Sequence, residues 1–198
     1  AFEDSPVDEI VIVCSADYIE YFRHAIIEKY GFKKVKAIVQ GGKERYNSVY
    51  EGLKAAKGAD YVLIHDGARP LVDNEIIVRS IHTVEKEKAC VAGMPVKDTI
   101  KVSDESGYSA NTPDRKSLWQ IQTPQCFEYN LLARSYDKLF SDMSYGKSVP
   151  VITDDAMIVE CGSDTKVKLI EGSYENIKVT TPEDMGIAEL FLKKREKM

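Results

Sequence analysis

The chain has 198 residues, 43% hydrophobic and 30% charged, enough for one sizeable core and short for two. Lysine and arginine number 27 against 32 aspartate and glutamate, and the formal charge of −5 excludes the basic field that favours nucleic acid or an anionic membrane. No apolar run reaches the roughly 20 residues of a membrane span, no basic-then-apolar leader opens the chain, and Cys14, Cys90, Cys126 and Cys161 form no C-x-x-C pair, so the expectation is a soluble cytoplasmic protein with reduced thiols that meets small molecules or a second copy of itself.

Strand-like and helix-like patterns alternate along the first half. VDEIVIVC (7–14) is β-branched, and DYIEYFRHAIIEKYG (17–31) then carries Ile19, Phe22, Ile26 and Ile27 at helical spacing before stopping at Gly31. KVKAIVQ (34–40) with KERYNSVYEGLKAA (43–56) makes a second βα unit, and DYVLIHD (60–66) with NEIIVRSIHTVEKEK (74–88) a third. ACVAGMPV (89–96) is a further buried-type run, and such near-continuous apolar strands between helices predict an open, mostly parallel α/β sheet covered on both faces. SDESGYSANTPDRKS (103–117) is almost devoid of apolar residues yet bracketed by DTIKV and LWQIQTPQCF, which predicts a hairpin-like excursion from the sheet edge. Helical EYNLLARSYDKLF, a polar SDMSYGKS surface insertion, a helix opening at TDDAMIVE, strand-like KVKLIEG and NIKV, and a last helix from Thr181 or Pro182 to KKREK complete the chain.

The chemistry sits at element ends. Ligands of open parallel sheets bind outside the carboxyl ends of the strands, where Asp66 of VLIHDGARP falls. A carboxylate there can hold a divalent cation that bridges phosphate oxygens, Gly67 permits close backbone approach and Arg69 offers a planar fork to phosphate. Alternatively, Asp66 caps the next helix or pairs internally with Arg69. Gly41 and Gly42 after a strand and before a helix place free N–H groups at a helix N-terminus, suited to an anion or the edge of a base, or form only a tight turn. Arg115 in the polar excursion and Lys178 in a short polar-flanked strand read as ligand contacts or, as single cations at such places most often are, solvated surface charges. TTPED is a helix start, with Thr181 as N-cap, Pro182 in the first turn and acids at the positive dipole end, and TDDA reads the same way.

Taken together and in this order, GGKERYNSVYEGL, VLIHDGARPLV, PVKDTIKV, TPDRKSLWQIQTPQCF, TDDAMIVE and GSYENIKVTTPEDM resemble the polyol-phosphate cytidylyltransferases, and among them those that act on 2-C-methyl-D-erythritol 4-phosphate in the non-mevalonate isoprenoid pathway. The ribitol 5-phosphate enzymes of teichoic acid synthesis are the second match, at Asp66, Arg69, QTPQ and the late lysine. The resemblance implies a Rossmann-like nucleotidyltransferase fold, a protruding β-arm, CTP and a polyol phosphate as substrates, and Mg2+ as cofactor. It also implies a homodimer in which the arm, 103–117, embraces a second subunit.

Residue roles follow from the same resemblance. Gly42 and Ser48 correspond to cytidine contacts, with Lys43 a weaker match because an acid often stands there. Asp66 corresponds to the residue near both metal and substrate, with Gly67 and Arg69 around the ribose and polyol phosphate. Thr99, Arg115, Thr123 and Lys178 correspond to polyol-phosphate contacts. Arg115 and Lys178 hold that phosphate in line for attack, and Arg115 and Thr123 serve the neighbour's site. The family also opens with a strand, a glycine-rich loop, an arginine and a P-K-Q-like lysine around the CTP triphosphate, and this sequence shows none of them. Each such charge-stabilising donor is worth about 3 to 4 kcal/mol of barrier. The expectation is therefore a truncated or proteolysed form of an active parent, its own activity severely reduced or absent, with a non-catalytic ligand-binding dimer module as the alternative.

Overall fold

The computed structural model describes residues 1–196; Lys197, within the basic KKREK end, lies outside the described residues. Strand β1 (Ile10–Cys14) pairs in parallel with β2 (Val35–Gln40). Between them runs one helical stretch, α1 (Ile19–Tyr21), continued by wider π-type turns over Phe22–Glu28. None of its residues is fully buried, so the apolar spacing at Ile19, Phe22, Ile26 and Ile27 marks a face only half covered. Helix α2 (Arg45–Ala55) follows the double glycine, and its start is pinned where the Glu44 N–H donates to Asn47 Oδ1 at 3.1 Å.

The main sheet has four strands in the order β3 (Tyr61–Ile64), β7 (Trp119–Glu128), β4 (Ala89–Pro95) and β8 (Lys168–Glu171). β4 and β8 are parallel, whereas β7 runs antiparallel to both β3 and β4. The predicted parallel sense therefore holds for β3, β4 and β8, with β7 as the reversed strand among them. That reversal brings the middle of β7 beside the end of β3: Gln125 stands opposite Ile64, so Thr123 and Pro124 lie next to His65 and Asp66.

Burial on both faces explains the unbroken apolar run of β4, every residue of which is buried except Pro95. Ala89 and Val91 face a core that α2, α4 (Tyr129–Ser144) and α5 (Asp155–Gly162) fill with Leu53, Leu132, Tyr136 and Ile158. Cys90 and Ala92 face the opposite layer, where α3 (Asn74–Glu87) supplies Ile76, Ile77 and Val84. The predicted excursion is a short antiparallel pair, β5 (Val102–Ser103) and β6 (Ser109–Asn111), exposed throughout.

Two expectations need correction. SDMSYGKS is not all insertion, since α4 continues through Ser144: the spacing of Leu132, Tyr136, Leu139 and Met143 keeps one apolar face on the core. NIKV forms no strand; it is an irregular segment whose Val179 N–H donates to the Ala68 carbonyl at 2.7 Å, so it satisfies its backbone against the β3 turn instead of a ladder. The last helix, α6 (Pro182–Arg195), starts as predicted, with Asp184 Oδ2 accepting from the Thr181 N–H at 2.9 Å. Among the described residues, no helix is long and apolar enough to cross a membrane.

The two-faced core makes a direct stability prediction. Leu132, wholly buried, should lose about 2 to 5 kcal/mol on Leu132→Ala. Leu190→Ala, at a position 65% exposed, should stay within about 0.5 kcal/mol. Urea unfolding of both variants against wild type checks the pair, and similar losses at the two positions would contradict the layer assignment.

Candidate active site

Asp66 stands two residues past the end of β3, and the chain then turns on itself, with the Arg69 N–H donating to the Asp66 carbonyl at 2.9 Å. The Asp66 carboxylate does not cap the next helix. Asp73 fills that place, accepting from the Ile76 N–H at 2.8 Å. Nor does it pair with Arg69. Its Oδ2 lies 2.8 Å from Lys178 Nζ, while Oδ1 takes Arg45 Nε and Nη2, each at 3.1 Å. Burial alone would raise this carboxyl, but the lysine and the guanidinium outweigh it and hold Asp66 below the usual carboxylate range.

Arg69 instead ties backbone together. Its Nη1 donates to the Asn176 carbonyl at 2.8 Å and its Nη2 to that of Ile121 at 3.4 Å. Asn176, fully buried, donates from Nδ2 to the Thr123 carbonyl at 2.9 Å. Three chain segments that carry candidate residues thus meet in one corner: the β3 turn, the middle of β7 and the irregular stretch bearing Lys178.

His65 completes the corner, and its tautomer follows from its neighbours. Nε2 lies 3.0 Å from the Arg69 carbonyl, which can only accept, so Nε2 carries the proton. Thr123 Oγ1 accepts the Asp66 N–H at 3.1 Å and donates its own proton to Nδ1, also at 3.1 Å. Thr123, which the resemblance assigns to a neighbour's site, has its hydroxyl engaged with His65 and Asp66 of its own chain.

The double-glycine turn borders a cleft of about 590 Å³ lined by Val13, Cys14, Gln40, Gly42, Lys43 and Ser48. Close approach demands both glycines: a Cβ on Gly42 would stand 2.4 Å from Asn47 Cβ, and one on Gly41 2.7 Å from Ser48 Oγ. Ser48 Oγ accepts from the Gly42 N–H at 3.1 Å and fastens the turn to α2. A larger hollow of about 700 Å³ lies between α3 and β8 and holds none of the candidate residues.

Thr99 and Arg115 stand apart from this corner. Thr99 is exposed, and Arg115 Nη1 donates to the Lys97 carbonyl at 2.7 Å. Among the described residues, no hydrogen bond or ion pair joins Arg115 to Asp66 or Lys178. Gly67 faces open space, with nothing within 4 Å of where a Cβ would stand.

Sequence reasoning missed Arg45, Asp155, His65 and Asn176. Arg45 Nη1 sits 2.8 Å from Oδ2 of Asp155, whose other oxygen accepts the Tyr136 hydroxyl at 2.6 Å. Asp155 and Tyr136 are both fully buried. Burial pushes the Asp155 carboxyl up against the pull of Arg45 and Tyr136. TDDA signalled a helix start and was read no further; two adjacent acids where one suffices for the cap were the available clue.

Comparison with known proteins agrees with this architecture. Residues 1–194 match the family model for IspD, 2-C-methyl-D-erythritol 4-phosphate cytidylyltransferase. The chain belongs to this family. A cytidylyltransferase of that name from Lachnoclostridium phytofermentans is 48% identical over 196 residues, covering 99% of this chain and 82% of that protein. One from Lachnospira eligens is 50% identical, covering 98% and 83%. The crystal structure of 4-diphosphocytidyl-2C-methyl-D-erythritol synthase from Anaerococcus prevotii superposes with a TM-score of 0.84 at 36% identity, over 94% of this chain and 79% of that one. The Thermus thermophilus cytidylyltransferase structure gives 0.75 at 26% identity, over 98% and 85%.

His65 gives this cytidylyltransferase a testable pH dependence. Burial lowers its pKa from the ordinary value, with the Arg69 carbonyl and Asp66 pulling the other way. The unfolded chain takes up a proton near pH 6.5, and the folded imidazole only at lower pH. In that interval the unfolded state binds more protons, so stability should rise with pH up to about 6.5 and level off above it. Urea midpoints should climb between about pH 5 and 7, and less steeply in His65→Gln; equal slopes would show that His65 titrates freely in the fold.

Proposed function

We propose that the Gly41–Gly42 cleft and the Asp66 corner together carry the transfer of CMP from CTP to 2-C-methyl-D-erythritol 4-phosphate. The observation that carries this reading is the 2.8 Å pairing of Lys178 Nζ with Asp66 Oδ2 at a strand end, beside an open glycine. It brings a partly exposed ammonium from the late motif to the strand end where phosphates bind in this class of fold.

Gly42, Lys43 and Ser48 take the cytidine at the cleft they line. Gly67 and Arg69 lie along the ribose and polyol phosphate. Arg69 acts largely by holding the Lys178 segment against the β3 turn. Lys178, with Thr99, Thr123 and Arg115 as further contacts, holds the polyol phosphate. Arg115 reaches it across a homodimer, from the arm of the other copy. Support for that arrangement lies in the exposed arm itself, which presents Val102 and Tyr108 to solvent, the latter 74% exposed. A phosphate oxygen of the polyol attacks the α-phosphorus of CTP, a new P–O bond forms, the bond to the bridging α–β oxygen breaks, and pyrophosphate departs with that electron pair. The residues contribute position and charge.

Magnesium fits this donor set. The ion characteristically takes one or two carboxylates plus substrate phosphates, and Asp66 would supply a carboxylate at the strand end to a metal that arrives with the triphosphate. When bound, it neutralises charge developing on the phosphate oxygens. Cys14, Cys90, Cys126 and Cys161 are all unpaired, which supports a reducing, cytoplasmic location.

Pyrophosphate release from CTP, measured with each polyol phosphate, tests the reading. Release with methylerythritol phosphate is the expected result; release only with ribitol phosphate would select the other cytidylyltransferase activity, and binding without release a non-catalytic module. Asp66→Asn should lower metal-dependent turnover by about 100-fold or more while leaving the fold intact. Near-normal turnover in that variant would remove Asp66 from the chemistry.

A further inference from the structure

Asp66 is held by more than its substrate-side partner. Arg45, the first residue of α2, uses both ends of its guanidinium: Nε and Nη2 on Asp66 Oδ1 at 3.1 Å, and Nη1 on Asp155 Oδ2 at 2.8 Å. From Asp155 the contacts continue inward. The N–H groups of Asp155 and Ala156 donate to Gln125 Oε1 at 3.0 and 3.1 Å, and Gln125 is almost completely buried. Gln125 lies two residues from Thr123, whose Oγ1 accepts the Asp66 N–H at 3.1 Å. The ring is closed: Asp66, Arg45, Asp155, Gln125, Thr123 and back to Asp66.

We propose that Arg45 is a positioning residue for cytidylyl transfer, a two-carboxylate clamp that fixes the Asp66 carboxylate against the buried Asp155. The inference rests on the reading of Asp66 given above. A planar fork can meet two carboxylates at once in fixed geometry, whereas a lysine ammonium is a single point on a flexible stem. The far anchor does not move readily. Asp155 is fully buried and its second oxygen takes the Tyr136 hydroxyl at 2.6 Å, so Arg45 connects a surface carboxylate to the rigid core between α4 and α5. Without the clamp, Lys178 alone would set the Asp66 side chain, and Lys178 is 43% exposed on an irregular segment. Arg45 itself does not line the glycine-turn cleft, so its effect reaches the reaction through Asp66.

A merely structural role is separable from a positioning one. Arg45→Gln alone strands a buried acid and invites misfolding. The double variant Arg45→Gln/Asp155→Asn removes both charges of the buried pair and keeps their shapes. If Arg45 only neutralises Asp155, this variant regains wild-type turnover. If it positions Asp66, the double variant melts close to wild type, keeps KM for CTP within about threefold, and loses about 10- to 100-fold in kcat in the pyrophosphate assay on the full chain. A folded double variant with kcat within about threefold of wild type would overturn the proposal. Should the double variant not fold, Arg45→Lys decides, because it keeps the charge but cannot bridge both acids: kcat should fall about 10-fold, and wild-type kcat would overturn the clamp. Asp66→Asn in the same assay keeps the two readings distinct. Full turnover there sinks the role of Asp66, whereas lost turnover there with full turnover in the double variant sinks only that of Arg45.

Discussion

A carboxylate at the end of a core strand is half out of water, and everything at this site answers to that. Desolvation favours the neutral acid, and an ionised group persists there only if cations stand close enough to outweigh the loss of hydration. Asp66 meets the condition with two, Arg45 and Lys178, drawn from segments far apart in sequence. Neither cation is free to satisfy Asp66 alone. Arg45 is shared with a fully buried Asp155, and Lys178 sits on backbone that belongs to no strand or helix. The fold therefore has to bring α2, β3, α5 and the segment before α6 to one point, and the direction of β7 is what lets it do so.

β7 is the strand whose direction the sequence reading did not resolve. Its sequence, WQIQTPQCFE, carries no mark of direction, because local composition does not record which way a strand runs. Direction enters through the connection. An arm of polar residues between β4 and β7 returns the chain from the end of one strand to the start of the next, and an antiparallel pair is the outcome. With β7 reversed, QTPQ arrives beside HDGAR. Gln122 and Thr123 then hold the later segment, and Gln125 the start of α5.

Which features were legible follows from their range. Strands β1 to β4, α2, α3, the start of α4 and the helix starts at TDDA and Thr181 are local, set by spacing within some dozen residues, and they stand near where periodicity placed them. The failures are tertiary. NIKV has the composition of a strand, but its first residue, Asn176, has its side chain bonded to Thr123 and Gln122 and its backbone carbonyl to Arg69. Arg45 looked like one more charge on an amphipathic helix. Its role depends on an acid more than a hundred positions away, and no window along the chain holds both.

The segment around Lys178 shows how an irregular stretch can still hold a charge in place. It has no ladder, but its constraints are dense: Gln122 Nε2 holds the Ser173 carbonyl at 2.8 Å, Asn176 is buried between Gln122 and Thr123, and Val179 is tied to Ala68 at 2.7 Å. Lys178 lies between the last two fixed points. Regular structure would have fixed the backbone equally well, yet a strand alternates its side chains between faces and would join the sheet edge. A loop nailed down at Asn176 and Val179 avoids that geometry, leaving the ammonium at the rim where it pairs with Asp66 and remains partly exposed to an incoming phosphate. The same nails include Arg69, whose guanidinium holds the Asn176 carbonyl at 2.8 Å, so the arginine and the lysine of the two motifs are mechanically one unit, and displacing either must move the other.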